Sequence, residues 1–533
     1  MAKFKLNPDR LKSEIERLTL FIQETRSARS AIHRKYESTA GKYNLSDISS
    51  FNGSVSANCD RLAQLADEIE SARRGIVHLN QNGLTTSPDG SGTVEYEIPD
   101  GTVIKSGKAL KSWSQGKVDG HNLKLLTKDY NNLNDEEKKQ YKKIIEEGDY
   151  LTDIPDFRRE EKLEEIRKRL ESRSDDNYYS AGVVDGVGPE NLTSIPLRER
   201  EIDTQKKMAK FLGIHLAGAS KTWTRDKQKS VARAIKESMD ESGEYGRITV
   251  FNRMMKENNT NKNGRNSLSF NKDFLVTLGN TLRSIDWQKI SRLLKNRKEL
   301  ADEGNDTFAV DQFGDFLTDG SWSWSDDDPD FTIFDPIYGI LDAMTGNPHA
   351  AAEFFAPNGR TSAPQDIRDI IHRSSLGDND WTKNLTTISA HMAEEFGRED
   401  FSKAGKTTKS YMDKSAFTTS LIFNEIGEND VKLGDLAREN AFTVMTIYAP
   451  GVENSGCYSW GFVRVVSWCI GRLGRELGYH TRFSWGGGRC ITSLPRGCAM
   501  RISMSLSGAS KRCSNLGARV YWATAWGSGS RWS

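Results

Sequence analysis

A chain of 533 residues exceeds the size at which one hydrophobic core keeps growing, so roughly two to four domains are expected. The formal net charge of +1 conceals two opposite parts: residues 451–533 carry one Lys and ten Arg against two acids, a net +9, and the preceding 450 residues carry 64 basic against 72 acidic groups, a net −8. The near-neutral total implies no nucleic-acid partner, and no run of apolar residues approaches the roughly 20 that a membrane helix needs.

The first nine residues lead straight into a charged helix, without the apolar stretch of a signal peptide. The expectation is a protein made in the cytoplasm which, if secreted, leaves without a cleavable signal. Cys59 is the single cysteine of the first 450 residues, so no disulfide framework is expected there.

Asn7-Pro8-Asp9 reads as a helix start, with Asn capping free amides, Pro fitting the first turn and Asp opposing the positive end of the helix dipole. Leu11, Ile15, Leu18, Ile22, Ala28, Ile32 and Tyr36 then form one apolar stripe on a helix of about 30 residues. A second series, from Val55 and Cys59 through Leu62, Ala66, Ile69, Ala72 and Ile76 to Leu79, stops before Asn82-Gly83, a C-terminal cap signal. With a turn region over Gly41 to Gly53, the two predict an antiparallel helical hairpin over residues 1–83.

Phe51-Asn52-Gly53 sits at that turn, and there the hairpin resembles the small helical-hairpin proteins of the type VII (ESX) secretion system, whose turn carries Trp-x-Gly. The resemblance covers roughly residues 5 to 83, with Phe51 in place of the Trp. It implies a partner-binding hairpin, using Phe51, Gly53, Leu62 and Ile69, that pairs with a small helical hairpin protein or with itself. The family also carries a Tyr-x-x-x-Asp/Glu export signal, and Tyr96 with Asp100 fits that string. The context reads differently: Val94 to Ile98, Pro99-Asp100-Gly101 and Thr102 to Lys105 predict strand, turn and strand, a small β-hairpin after the linker and within residues 84–106.

Residues 107–176 read as a charged helical connector. Asn134 with Glu137 forms a capping box, Gly148 closes that helix, and Phe157 to Ser172 is dense in Glu and Arg at i,i+4 spacing. Residues 177–450 read as a helical domain of short capped segments. Tyr178 to Val184 is an apolar helix, Phe270 to Leu282 and Trp287 to Leu294 are amphipathic, and Asp335-Pro336 and Asn347-Pro348 open two more helices. The phrases Asp185 to Glu190, Arg247 to Asn252, and Asp335-Pro336-Ile337 through Asn347 to Phe355 resemble large uncharacterised actinobacterial proteins found beside type VII and polymorphic-toxin cassettes. The fold class expected is mainly α, followed by a tail, 451–533, that is disordered or poorly folded.

No catalytic, cofactor or metal site emerges. His391 lacks the second His of a zinc-protease helix, and the Gly186-Val187-Gly188 turn lacks the third Gly of a dinucleotide loop. Asp326-Asp327-Asp328 lacks the distal Glu of a calcium loop, and the tail cysteines contain no Cys-x-x-Cys pair. The expected function is therefore non-enzymatic, a helical protein associated with or exported by a type VII-like system and acting through protein contacts. The alternative is a polymorphic-toxin carrier whose effector lies at or beyond the tail. Gly, Ser, Arg, Trp and Cys make up 48 of the 83 tail residues, the composition expected of a GC-rich gene read in a shifted frame.

Overall fold

The computed structural model describes residues 2–43, 47–86, 89–145, 156–199, 201–240, 246–256, 265–286, 289–290, 335–362, 368–370, 379–397, 403–428, 433–448 and four tail segments within 480–521. It is mainly helical, as the stripes and caps predict. The chain divides into two compact units, Met1–Met254 and Met255–Ser533. Residues 107–176, expected as a connector, and residues 177–254 thus share one unit.

Unit 1 opens with strand β1 (Ala2–Leu6), helix α1 (Pro8–Tyr43) and helix α2 (Ser49–Gln81), the expected hairpin. The Asn7 side chain accepts from the Arg10 amide at 2.9 Å, and α2 ends on Asn82, followed by Gly83 at φ 72°. Strand β2 (Val94–Ile98) does not pair with residues 102–105, which corrects the expected β-hairpin. It pairs antiparallel with β1, with Phe4 opposite Tyr96 and Lys3 opposite Glu97, and Thr102 instead bridges to Trp223. Alternation explains the choice: Lys3 lies within 3.3 Å of Glu95 and 3.2 Å of Glu97 on one face, while Phe4 stacks on Tyr96 on the other.

Helix α3 (Gly107–Leu126) is followed by α4 (Asp135–Ile144), capped by the predicted Asn134–Glu137 box, and α5 (Asp156–Ser172). Gly148 lies outside the described residues. Then come α6 (Asn177–Val187), α7 (Ile202–Ser220), α8 (Arg225–Asp240) and α9 (Gly246–Met255). The centre of unit 1 is the crossing of α3 and α6, the most extensive helix pair among the described residues. Gly116 and Gly120 on α3 face the Tyr179 and Val183 carbonyls, and Gly182 and Gly186 on α6 face those of Trp113 and Lys117. A methyl group at any of the four would sit closer than 3.0 Å to backbone, so two i,i+4 glycine pairs allow the helices to touch main chain to main chain. Gly186 is therefore helical, and the expected turn begins at Gly188, φ 81°.

Unit 2 holds α10 (Lys272–Leu282), α11 (Pro336–Thr345), α12 (Pro348–Phe355), α13 (Asn379–Phe396), α14 (Lys406–Glu428) and α15 (Asp435–Tyr448). Asp335 and Asn347 cap α11 and α12 as their Pro-led starts predict, and the side chains accept from the Ile337 and Ala350 amides. Most of the helix expected over Trp287 to Leu294, and the acidic loop 326–330, fall outside the described residues. In the tail the described segments are four strands, β3 (His480–Thr481), β4 (Cys490–Ser493), β5 (Arg501–Leu506) and β6 (Leu516–Tyr521), paired antiparallel in chain order. The expectation of a disordered tail falls otherwise on residues outside the described ones.

Candidate functional site

The hairpin presents the largest exposed apolar residues of unit 1. Arg26 pairs with Asp60 at 2.7 Å, and Asn52 Nδ2 donates to His33 Nδ1 at 3.1 Å, which sets the level of one helix against the other. Phe21 is thereby level with Leu65, and Ile32 with the first turns of α2 near Phe51. Ile22 on α1 and Cys59 on α2 are 4% and 2% exposed and mark the sides that face each other. Residues advance about 100° around a helix, so Phe21 and Ile32 stand about 80–100° from Ile22, and Phe51 and Leu65 about 80–120° from Cys59, all in the same rotational sense. In antiparallel helices equal offsets of equal sense fall on one side of the pair. Phe21 (55% exposed), Ile32 (48%), Phe51 (51%) and Leu65 (52%) therefore share one flank.

This flank continues a packed surface. Leu65 leads into Ile69, Ala72, Ile76 and Leu79 at helical spacing, and α3 lies along this stretch, with Gly107 against Glu68 and Gly75 against Lys111. Since α3 begins at Gly107, its cover stops about one turn short of Leu65. Leu62 and Ile69 are half-buried at the margin of the same flank.

The structure thus brings Phe51, Leu62 and Ile69 together but not Gly53. Gly53 lies inside α2, toward the opposite flank, and a side chain there would meet nothing within 4 Å. The Phe51-Asn52-Gly53 segment is helix and not turn, because α2 starts at Ser49, so Phe51 is exposed instead of closing the hairpin end. Tyr96 is 8% exposed, held between strand pairing and Phe4, while Asp100 is exposed in the following turn. Sequence reasoning missed Phe21 and Leu65. Their seven- and fourteen-residue relation to Ala28 and Phe51 was the available signal, masked by the stronger inward stripes.

Other polar groups serve packing. Asp185, with a fully buried side chain, binds Lys227 at 2.9 Å, Trp113 Nε1 at 2.9 Å and Thr102 at 3.1 Å. Asp119 accepts from Arg169 at 2.8 Å and from the Tyr179 hydroxyl at 2.6 Å, and burial raises the pKa of that phenol. His391 Nδ1 meets the Thr345 carbonyl at 2.8 Å, a helix-packing role. A cleft of about 410 Å³ beside α3, α4 and α5 is lined by Glu136, Lys139, Lys143, Glu165 and Arg169 among others, opposite charges in mixture. Lys143 there binds the Gln81 carbonyl at 2.5 Å, and His121 meets Gln140 at 3.0 Å. Among the described residues no group of three or more His, Cys, Asp or Glu is placed to hold a metal, and no helix is long and apolar enough to cross a membrane.

Fold and surface together define a mainly helical protein that presents a two-helix hairpin with an uncovered apolar flank. A family model matches residues 1–157 and 149–457, and the chain belongs to that family, DUF6571, a family of unknown function. The match ends close to the change of composition near residue 450. No curated protein and no solved structure matches the chain.

Proposed function

We propose that this protein acts through protein contacts, docking a helical partner on the hairpin flank formed by Phe21, Ile32, Phe51 and Leu65, as a component or client of a type VII-like secretion system. One observation carries the docking: four large apolar side chains, each about half exposed, lie on one flank where the cover supplied by α3 stops. Scattered single apolar residues need no explanation, but an aligned set spanning about 20 Å of helix does. The resemblance of residues 5–83 to ESX hairpins supports a hairpin partner and the secretion system. The contact is non-enzymatic in this reading.

Co-expression of the full chain with small helical-hairpin proteins encoded beside it, followed by affinity capture, tests the proposal. A complex is expected with the natural chain and is lost on Phe51→Asp with Leu65→Asp, while circular dichroism stays unchanged. Absence of any complex, or a complex indifferent to both substitutions, contradicts it.

A further inference from the structure

Resting on the docking reading above, we infer that the occupant of the flank is an amphipathic helix whose apolar seam is bordered by carboxylates. The charge pattern of the hairpin supplies the argument. Residues 24–65 carry six Lys and Arg against four acids, a net +2, within a first 450 residues that are net −8. Two of those charges cancel across the hairpin, Arg26 with Asp60, and Glu37 lies 3.2 Å from His33. Arg29, Arg34, Lys35, Lys42 and Arg61 have no ion-pair partner among the described residues. Lys35 stands about 60° beyond Ile32 around α1, and Arg61 about 40° beyond Leu65 around α2, so each borders the apolar strip on its outer side. Glu24 is the one carboxylate at that border within the span of the strip.

A second copy fits this surface poorly. Self-docking would bring basic borders carrying Lys35 and Arg61 against each other, and like charges facing each other across an interface oppose association. A helix of about 14 residues matches the span from Phe51 to Leu65 at 1.5 Å per residue. Its seam would extend the role that α3 plays on the neighbouring turns, and Glu or Asp beside the seam would meet Lys35 and Arg61. Apolar contact would supply affinity, and the charges would set partner choice and approach.

The test uses the full chain and two designed amphipathic helical peptides with the same leucine seam, one bordered by Glu and one by Lys, with binding followed by fluorescence anisotropy. The Glu-bordered peptide is expected to bind about ten-fold more tightly, because it gains two exposed ion pairs where the Lys-bordered one meets like charge. That advantage shrinks at high salt and inverts in the Lys35→Glu, Arg61→Glu chain. Equal binding of both peptides, lost on Phe51→Asp, overturns the acidic partner and leaves the docking reading standing. Binding of neither peptide overturns both. Stronger self-association of the chain than binding of either peptide overturns the choice of occupant.

Discussion

Replacing Gly182 with alanine is expected to destabilise unit 1 by about 3 kcal/mol, one of the largest effects of a single methyl group in this protein. The local preference runs the other way, since alanine in a helix interior gains about 1 kcal/mol over glycine. Packing decides the sign. The added carbon would fall closer than 3.0 Å to the Trp113 carbonyl and the Lys117 amide, which are backbone atoms of α3 with no rotamer through which to yield. Relief requires moving α6 away from α3, and that separates Tyr179, Val183 and Val187, all fully buried, from their contacts. Gly116→Ala meets the Tyr179 carbonyl from the other side and should cost a similar amount. Because the two changes relieve the same crossing, the double variant should lose less than the sum. Denaturant unfolding monitored by hydrogen exchange in α3 and α6 measures this. An unchanged or raised midpoint would show that the helices do not meet main chain to main chain.

Acid should begin to destabilise unit 1 before it protonates exposed carboxylates. His215, completely buried in α7, donates from Nε2 to the Leu170 carbonyl at 3.1 Å, so the neutral ring accepts from Ser180 Oγ through Nδ1 at 2.9 Å. Burial pushes its pKa down to about 4 from the ordinary 6.5, so the folded ring stays neutral while the unfolded chain takes up a proton. Stability from this group is complete above pH 6.5 and declines as the pH falls toward 4, by about 3 kcal/mol in total. Burial lowers the pKa of His78 and His121 too, which adds to the same trend. The non-titrating His215→Gln, whose amide can still donate to Leu170 and accept from Ser180, should flatten the slope between those pH values. Stability of unit 1 that does not fall from pH 6.5 to 4, or a His215→Gln chain with the same slope, would contradict the assignment.

What the sequence made legible was local. The starts at Asn7-Pro8, Asn134 with Glu137, Asp335-Pro336 and Asn347-Pro348 depend on side chains within a few residues, and each helix begins where they place it. The partner of β2 was illegible because β1 lies nearly 90 residues earlier, and nothing near Val94 marks it. Helix α3 falls within residues 107–176, which read as a charged helical connector on the strength of later charged segments, Asn134 with Glu137 and Phe157 to Ser172. Yet Asp119 is buried under Arg169 and Tyr179, and burial lowers the pKa of Lys117. The i,i+4 glycines on both α3 and α6 were the sequence's only sign of that crossing. At the hairpin, the inward stripe and the outward flank interleave. Ile32, counted with the inward residues, is 48% exposed, because ten residues from Ile22 carries it about 80° around the helix.

The flank itself is the claim to test most directly, and Leu20 supplies an internal control. It is 55% exposed, as Phe21 is, but stands about 100° from Phe21 around α1, on the face turned away from α2. A photo-crosslinking amino acid placed singly at Phe21, Ile32, Leu65 or Leu20 of the full chain, irradiated in the cells that make it, reads which side is covered. Crosslinking of the first three positions to one helical protein, with Leu20 silent, is the predicted result. Equal crosslinking at Leu20, or none at all three flank positions, would contradict a docking surface there.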